Sequence, residues 1–116
     1  MEKINLADKF SLFDDTWSPR IVDDFDVKLV KLRGAFVWHK HDAQDELFLV
    51  IKGRLTLKLH DRDVALEEGE LFVVPHGVEH MPVAEDEAQV LLFERKGTLN
   101  TGDADDPRAV AAPQWI

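Results

Sequence analysis

The sequence predicts an all-β domain, folded as a barrel or a sandwich. Many short runs rich in Val, Ile and Leu are separated by turn residues, and no stretch has the periodicity of a long helix. The 116 residues leave room for one domain. We therefore expect 1–116 to be a single domain, with a barrel over about 21–96, an N-terminal arm at 1–20 and a C-terminal tail at 97–116.

Turn residues divide the barrel into strands, and the run Glu85-Asp86-Glu87 is predicted to be one of these turns. The predicted strands are 21–32 (one strand or two, with a turn at Asp23-Asp24), 35–41, 46–52, 54–60, 64–66, 71–74, 81–84 and 88–95.

The clearest strand runs from Glu46 to Lys52 and is apolar on both faces. Side chains alternate across a strand, so Phe48 and Val50 share the face of Glu46, which we expect to be the interior. The opposite face is equally apolar and must also be covered, either by the N-terminal arm or by a second subunit. A homodimer is therefore expected.

In the arm, Asn5 and Asp8 could cap a short helical turn, and Phe10 and Phe13 are expected to lie across a core. Trp115 is expected to tie the tail back onto the body.

The charge balance argues against several classes of partner. The formal net charge is −9 and the pI is about 4.9, so phosphate backbones and anionic membrane surfaces repel the chain. No apolar run is long enough to span a bilayer, and the N-terminus lacks the apolar core of a signal peptide. We expect a cytoplasmic protein that binds neither nucleic acid nor membrane. There is no cysteine, so any metal must be held by nitrogen and oxygen.

His39 and His41 stand two residues apart, and Glu46 follows after a polar turn. In a strand, residues two apart point to the same face, so both imidazoles can lean toward one point. Two histidines and a carboxylate that converge in this way are more typical of a metal site than of core packing.

The wider spacing extends this pattern over two segments. The first reads Gly34, four residues, His39-Lys40-His41, four residues, Glu46, six residues, Gly53. The second follows after fifteen residues and reads Gly69, five residues, Pro75-His76-Gly77, two residues, His80. This arrangement resembles the two conserved motifs of the cupin superfamily, and most of all the short single-domain bacterial cupins labelled mannose-6-phosphate isomerase-like. Two positions depart from the pattern, because the family usually has five residues before the first histidine and often Asn at the position of Ala84.

The resemblance implies a double-stranded β-helix, or jelly roll, with a divalent metal bound by His39, His41, Glu46 and His80. Three imidazoles and one carboxylate suit Fe, Mn, Ni, Cu or Zn, and the ligand set does not choose among them. Four protein ligands leave two positions of an octahedral site open to a small-molecule ligand. The function expected is a metalloenzyme of the non-haem oxygenase or Lewis-acid isomerase or lyase type. The alternatives are a non-catalytic sensor, a structural metal barrel, and a barrel that has kept the four positions but binds no metal.

Strand parity separates residues near the expected metal from those pointing away. Phe36 and Trp38 have the opposite parity to the histidines and should face away, whereas Phe48 and Val50 should line the cavity. The sequence does not decide which way Lys31 and Arg33 face, or whether Leu92 or Phe93 faces the cavity. A phosphate substrate needs an inward cation, and an apolar cavity instead favours a partly apolar, metal-chelating ligand. His60 and His76 are expected to be ordinary surface histidines, and His76 has a minor possibility of supporting a ligand.

Overall fold

The computed structural model describes residues 3–23 and 26–116. These residues form one short helix and eight strands. The helix α1 spans Leu6–Phe10. The strands are β1 Arg20–Asp23, β2 Val27–Ala35, β3 Glu46–Lys52, β4 Leu55–Lys58, β5 Asp63–Leu66, β6 Leu71–Val74, β7 Met81–Phe93 and β8 Gln114–Trp115. The all-β class is confirmed. None of the helices described is long and apolar enough to cross a membrane.

Strand β7 is the central strand of the eight-stranded sheet and pairs with three others. Its first half pairs with β4 and its second half with β3, while β2 runs beside both halves. All of these pairings are antiparallel, and β6 extends the sheet beyond β3. Strands β1 and β2 also pair antiparallel, so this region holds two strands, the second of the two alternatives left open by the sequence. The predicted turn between them includes Asp24, which lies outside the described residues.

The prediction of a turn at Glu85-Asp86-Glu87 is wrong, because β7 runs through these residues without a break. Leu32 pairs with Ala88 and Gly34 with Ala84, so four steps along β7 oppose two steps along β2. The extra residues form an exposed irregularity of the kind that bends a strand from one layer to the next. Gly53 packs against this bend, since a Cβ there would lie 3.0 Å from the carbonyl oxygen of Glu87.

The prediction of a strand over 35–41 is also wrong. Strand β2 ends at Ala35, and the segment that follows makes only an isolated bridge between His39 and His80. The chain leaves the sheet here and is held instead by single hydrogen bonds, such as that from Phe36 N to the Pro82 carbonyl at 2.9 Å.

Two apolar clusters stabilise the fold. The larger one fills the barrel and includes Phe48 and Val50, as the parity of β3 predicts. The second lies on the outer face, where Phe10 and Phe13 pack on Leu29. Phe10 is the buried residue of helix α1. Asn5 caps this helix by accepting a hydrogen bond from Asp8 N at 3.0 Å. The tail returns as β8, which pairs parallel with β1.

The arm covers only part of the outer face. Ile51 and Leu91 pack against its cluster, but Leu71, Val73 and Phe93 remain 55%, 41% and 49% exposed. The chain itself therefore covers this outer face at Ile51 and Leu91 and leaves it open at Leu71, Val73 and Phe93.

Candidate metal centre

Backbone hydrogen bonds bring the two histidine segments together. His39 N donates to the His80 carbonyl at 3.0 Å, and His80 N donates to the His39 carbonyl at 2.9 Å. Gly77 N donates to the carbonyl of His41 at 2.8 Å and holds the corner before His80 against the first segment. The bridge explains how residues 41 positions apart in the sequence can share one site.

The four predicted ligand residues converge in the interior. One ligand atom of each of His39, His41, Glu46 and His80 lies within 4.8 Å of the others. All four residues are buried, and His80 is completely inaccessible to solvent. His39 and His41 reach the same point although their segment is not a regular strand, and the bridge between His39 and His80 holds the segment there.

The hydrogen-bonding state of the imidazoles suits metal ligation. His39 Nδ1 lies 2.8 Å from the Val37 carbonyl, and His80 Nδ1 lies 3.0 Å from the Val78 carbonyl. Each contact places the proton on Nδ1 and leaves a lone pair on Nε2. Within the described residues, Nε2 of His39, His41 and His80 is buried without a hydrogen-bond partner. Buried polar atoms are rarely left in this state, so the group fits a divalent cation.

Glu46 supplies the negative charge of the centre. Its Oε2 lies 2.9 Å from His41 Nε2, without the angle of a hydrogen bond, and its Oε1 lies 3.5 Å from His80 Nε2. Burial alone would raise the pKa of Glu46, but the neighbouring His41 and His80 imidazoles bring that pKa below its ordinary value. The carboxylate is therefore ionised at neutral pH.

His39 stays neutral over the physiological range. Burial, followed by repulsion from His80, lowers its pKa from 6.5 to about 4. Since a metal binds neutral imidazole, this side chain is ready to act as a ligand without first losing a proton.

Comparisons with known proteins identify the fold family. The family model described as "Cupin domain" matches residues 28–94, which is more than half of the chain. The chain belongs to the cupin-domain family. A solved structure of a cupin-2 domain containing protein from Shewanella frigidimarina is 44% identical, with a TM-score of 0.78, and the match covers 80% of this chain and 94% of that one. Protein NMB1881 from Neisseria meningitidis is 31% identical, with a TM-score of 0.75 and coverages of 82% and 100%.

A curated relative carries an enzyme name. The 3-hydroxyanthranilate 3,4-dioxygenase of Neurospora crassa is 32% identical over 85 residues, which are 70% of this chain and 47% of that protein. The chain spans about half or less of the length of the curated relatives it matches. These comparisons support a metal-binding cupin.

An apolar cavity of about 30 Å³ adjoins the candidate metal centre of this cupin. Phe48 lines it as predicted, and Leu92 rather than Phe93 faces it. Val50 does not line it, contrary to the expectation, and is fully buried in the surrounding core. Among the described residues that line this cavity there is no Lys or Arg.

The expectation that Phe36 points away from the metal centre is wrong. Its ring lines the cavity and meets the His39 ring edge-on, with 5.5 Å between centroids. Parity fails because residue 36 lies where β2 has ended, and alternation holds only along a strand. Trp38 does face outward, where it stacks on His60 at 4.3 Å.

The tail closes the barrel over the site. Gly102, at φ +56°, packs so tightly that a Cβ there would lie 3.0 Å from His39 Cδ2 and would also collide with the Lys40 carbonyl. Lys40 N donates to Asp103 Oδ1 at 2.9 Å, and Asp103 N donates back to the Lys40 carbonyl at 3.2 Å. A second pocket, of about 190 Å³, lies between this tail and His41. The ligand set is therefore flanked by an inner cavity and an outer pocket.

The remaining candidates from the sequence lie outside the centre. Lys31 is buried, but its Nζ donates to the Phe13 carbonyl under the arm, and Arg33 is exposed. Neither lines the cavity. His60 is an exposed surface residue, and His76 is exposed and paired with Asp45 at 3.0 Å.

Glu94 is a buried acid that the sequence interpretation missed. It is 4% exposed, and Lys28 Nζ donates to its Oε2 at 3.2 Å. Burial, and then the charge of Glu46, raise the pKa of Glu94 well above its ordinary value. Its inward position follows from that of Leu92, two residues earlier, but the expected turn at 85–87 left the facing of this strand undecided.

Proposed function

We propose that this cupin binds one divalent transition metal through His39, His41, Glu46 and His80 and uses it to act on a small molecule. The observation that carries this proposal is the set of three buried Nε2 atoms without hydrogen-bond partners in the described chain, gathered around an ionised carboxylate. Without a cation, such a group is costly to bury.

The ligand class follows from the walls of the cavity. Phe36, Phe48 and Leu92 make it apolar, and no described cation lines it to neutralise a phosphate. We propose a small, partly apolar molecule that chelates the metal, such as a keto acid, a diketone or a catechol-like compound. A metal held here would supply Lewis-acid or redox chemistry to such a ligand.

Oxygenase chemistry is the reaction class best supported. The Neurospora crassa relative is named for an oxygenation of 3-hydroxyanthranilate, a ring compound with adjacent hydroxyl and amino groups, which fits the proposed ligand class. In this chain the apolar walls would exclude water, while Glu46 and the histidines would fix the position of the reacting centre.

Ligand entry requires movement. A volume of about 30 Å³ is room for about one water molecule, so a ring cannot enter the inner cavity as it stands. The pocket of about 190 Å³ beside His41 offers an approach through the tail. We propose that residues 97–103 shift when a ligand binds.

The test is oxygen uptake by Fe²⁺-loaded protein with a panel of ligands under single-turnover and steady-state conditions. We expect uptake with a catechol, an o-aminophenol acid or a β-diketone, and none with mannose 6-phosphate. His80→Ala should abolish the uptake, and the surface control His60→Ala should retain it. Saturable binding of a sugar phosphate without affinity for any chelating acid would overturn the proposed ligand class.

A non-catalytic sensor is the second candidate. The titratable side chains that line the inner cavity in the described chain are His39 and Glu46, both already assigned to the metal. Within the described residues, no further titratable side chain is therefore present at the cavity wall to accept a proton. Tight binding of a chelating ligand by the Fe²⁺ form without oxygen uptake or product would favour the sensor over the enzyme.

The domain organisation proposed from the sequence is supported by packing at both ends. Phe10 of the arm is buried on the outer face, and β8 of the tail pairs with β1. We therefore propose that 1–116 fold as one unit. A cytoplasmic location stays a prediction from composition.

We also propose a homodimer through the uncovered outer face, which we call the β6 patch: Leu47, Leu71, Val73 and Phe93. Three of these side chains are at least 41% exposed, on β6 and β7, the two strands that flank β3 and its Leu47. A contiguous apolar patch of this kind is typical of an interface. Light scattering after gel filtration should give twice the chain mass. Val73→Glu should give the monomer mass, whereas Leu12→Glu, at an exposed position of the arm, should not. A monomer in the unaltered chain would contradict the proposal.

A further inference from the structure

A buried ion pair lies directly behind the candidate metal centre. Lys28 and Glu94 are 2% and 4% exposed. Lys28 Nζ donates to Glu94 Oε2 at 3.2 Å and to the Thr98 carbonyl at 2.9 Å. Burying two ionisable side chains costs more than burying apolar side chains of the same size, and such a pair is weak evidence of a purely stabilising role. The pair therefore calls for another explanation.

The strand register places Glu94 beside Glu46. Leu47 pairs with Phe93 and Phe48 with Leu92, so the next position in this register sets Glu46 opposite Glu94. Directly opposed side chains on one face have Cβ atoms about 5 Å apart. On the other side of β7 lies β2, where Lys28 pairs with Leu92 of β7. Glu94 thus stands between a cation on one neighbouring strand and a proposed metal ligand on the other.

The two oxygens of Glu94 have different surroundings. Oε2 accepts from Lys28 on the β2 side. Oε1 is buried and has no hydrogen bond of normal geometry within the described residues. The register between β3 and β7 sets Glu46 opposite Glu94 on the side away from β2 and Lys28. The free edge of Glu94 is therefore available on the side where Glu46 lies.

We propose that Glu94, fixed by Lys28, is a positioning residue that sets the orientation of the Glu46 carboxylate in the metal centre. Glu46 spans two histidines, with Oε2 toward His41 and Oε1 toward His80. The Glu46 carboxylate could rotate about its last side-chain bond in an apolar barrel. Glu94, which Lys28 holds in place, restricts that rotation. The inference rests on the proposed metal site and adds to it a residue pair outside the ligand set.

The proposal predicts an effect on metal affinity and on the coordination geometry. Partners that orient a metal ligand typically contribute 10- to 100-fold in affinity. Glu94→Leu combined with Lys28→Met removes the pair. Asp26, whose Oδ2 lies 3.8 Å from Lys28 Nζ, keeps its hydrogen bond from Gly97 N at 2.8 Å. We expect this double variant to bind Co²⁺ 10- to 100-fold more weakly and to show altered visible absorption of the bound Co²⁺.

Glu94→Gln is the conservative variant. Its amide oxygen can accept from Lys28 and its amide nitrogen can donate toward Glu46, so we expect Co²⁺ affinity within about 3-fold of the unaltered chain and the same absorption spectrum. The matched control is Lys58→Met, which removes an exposed partner of Asp63 in a 3.3 Å ion pair. It should change neither the affinity nor the spectrum.

The experiment is a Co²⁺ titration of the metal-free chain and its variants, followed by visible absorption, with urea unfolding of each metal-free protein as a check on folding. Weaker binding and an altered spectrum in the folded double variant, with both restored in Glu94→Gln, would support the proposal. Unchanged affinity and spectrum in the double variant would overturn it while leaving the metal site intact. Failure of the unaltered chain to bind Co²⁺ would instead overturn the proposed function, and this inference with it.

Discussion

Gly102→Ala tests the close packing of the tail against the metal centre. Two costs are expected. The backbone at φ +56° is left-handed, which costs an Ala about 1–2 kcal/mol. The new Cβ would also lie 3.0 Å from His39 Cδ2 and 3.1 Å from the Lys40 carbonyl carbon. Forcing a methyl group into a packed site costs about 1–3 kcal/mol more, so the free energy of unfolding should fall by about 2–5 kcal/mol.

Gly97→Ala separates the two costs. Gly97 lies in the same tail at φ +88°, but a Cβ there meets nothing within 4 Å. The free energy of unfolding of Gly97→Ala should therefore fall only by the backbone cost of about 1–2 kcal/mol. The difference between the two variants therefore measures the steric contact with His39 and Lys40.

Urea unfolding of the metal-free variants gives these free energies, and thermal unfolding should follow at about 4 °C per kcal/mol for a chain of this length. Because the contact reaches a proposed ligand, Gly102→Ala should also weaken Co²⁺ binding, whereas Gly97→Ala should not. Equal destabilisation by both substitutions, with equal Co²⁺ affinity, would refute the argument that the tail packs on the centre.

Two further predictions concern the interior. With the pKa of His39 lowered from 6.5 to about 4 in the folded state, the unfolded chain binds its proton first as the pH falls. The metal-free protein should lose about 1.4 kcal/mol per pH unit between these values and nothing from this group above pH 6.5. Urea unfolding at several pH values gives the slope of the free energy of unfolding against pH. This slope should be smaller for His39→Gln than for the unaltered chain and unchanged for His60→Gln. Equal slopes in all three proteins would contradict the prediction. Phe48→Ala should lower the free energy of unfolding by about 3–5 kcal/mol, because the ring is buried at the cavity wall. The control Leu12→Ala, at an exposed position, should lower it by less than about 0.5 kcal/mol. Similar losses in the two variants would show that Phe48 is not packed.

Local spacing predicted three of the four proposed ligands, His39, His41 and Glu46. His39 and His41 are two residues apart in extended chain, and Glu46 begins the strongest strand. The contribution of His80 came from the resemblance to cupins, since no local pattern links residues 39 and 80. The bridge between them is a tertiary contact.

The failures have physical causes that a single sequence does not reveal. Acidic residues at 85–87 are typical of turns, but they occupy the exposed bend of a strand whose pairing with β2 and β4 overrides that preference. Phe36 was misassigned because alternation was extended past the end of β2. Glu94 was missed because its role depends on Lys28 and Glu46, which reach it through strand register rather than proximity in the chain.

The metal content of the untreated protein tests the central claim most directly. Elemental analysis should find one equivalent of a divalent transition metal per chain, with almost none in His80→Ala and a full equivalent in His76→Ala, whose side chain is exposed. A metal-free chain that also fails to take up Fe²⁺, Mn²⁺, Ni²⁺, Cu²⁺, Zn²⁺ or Co²⁺, or equal metal content in the two variants, would contradict the account.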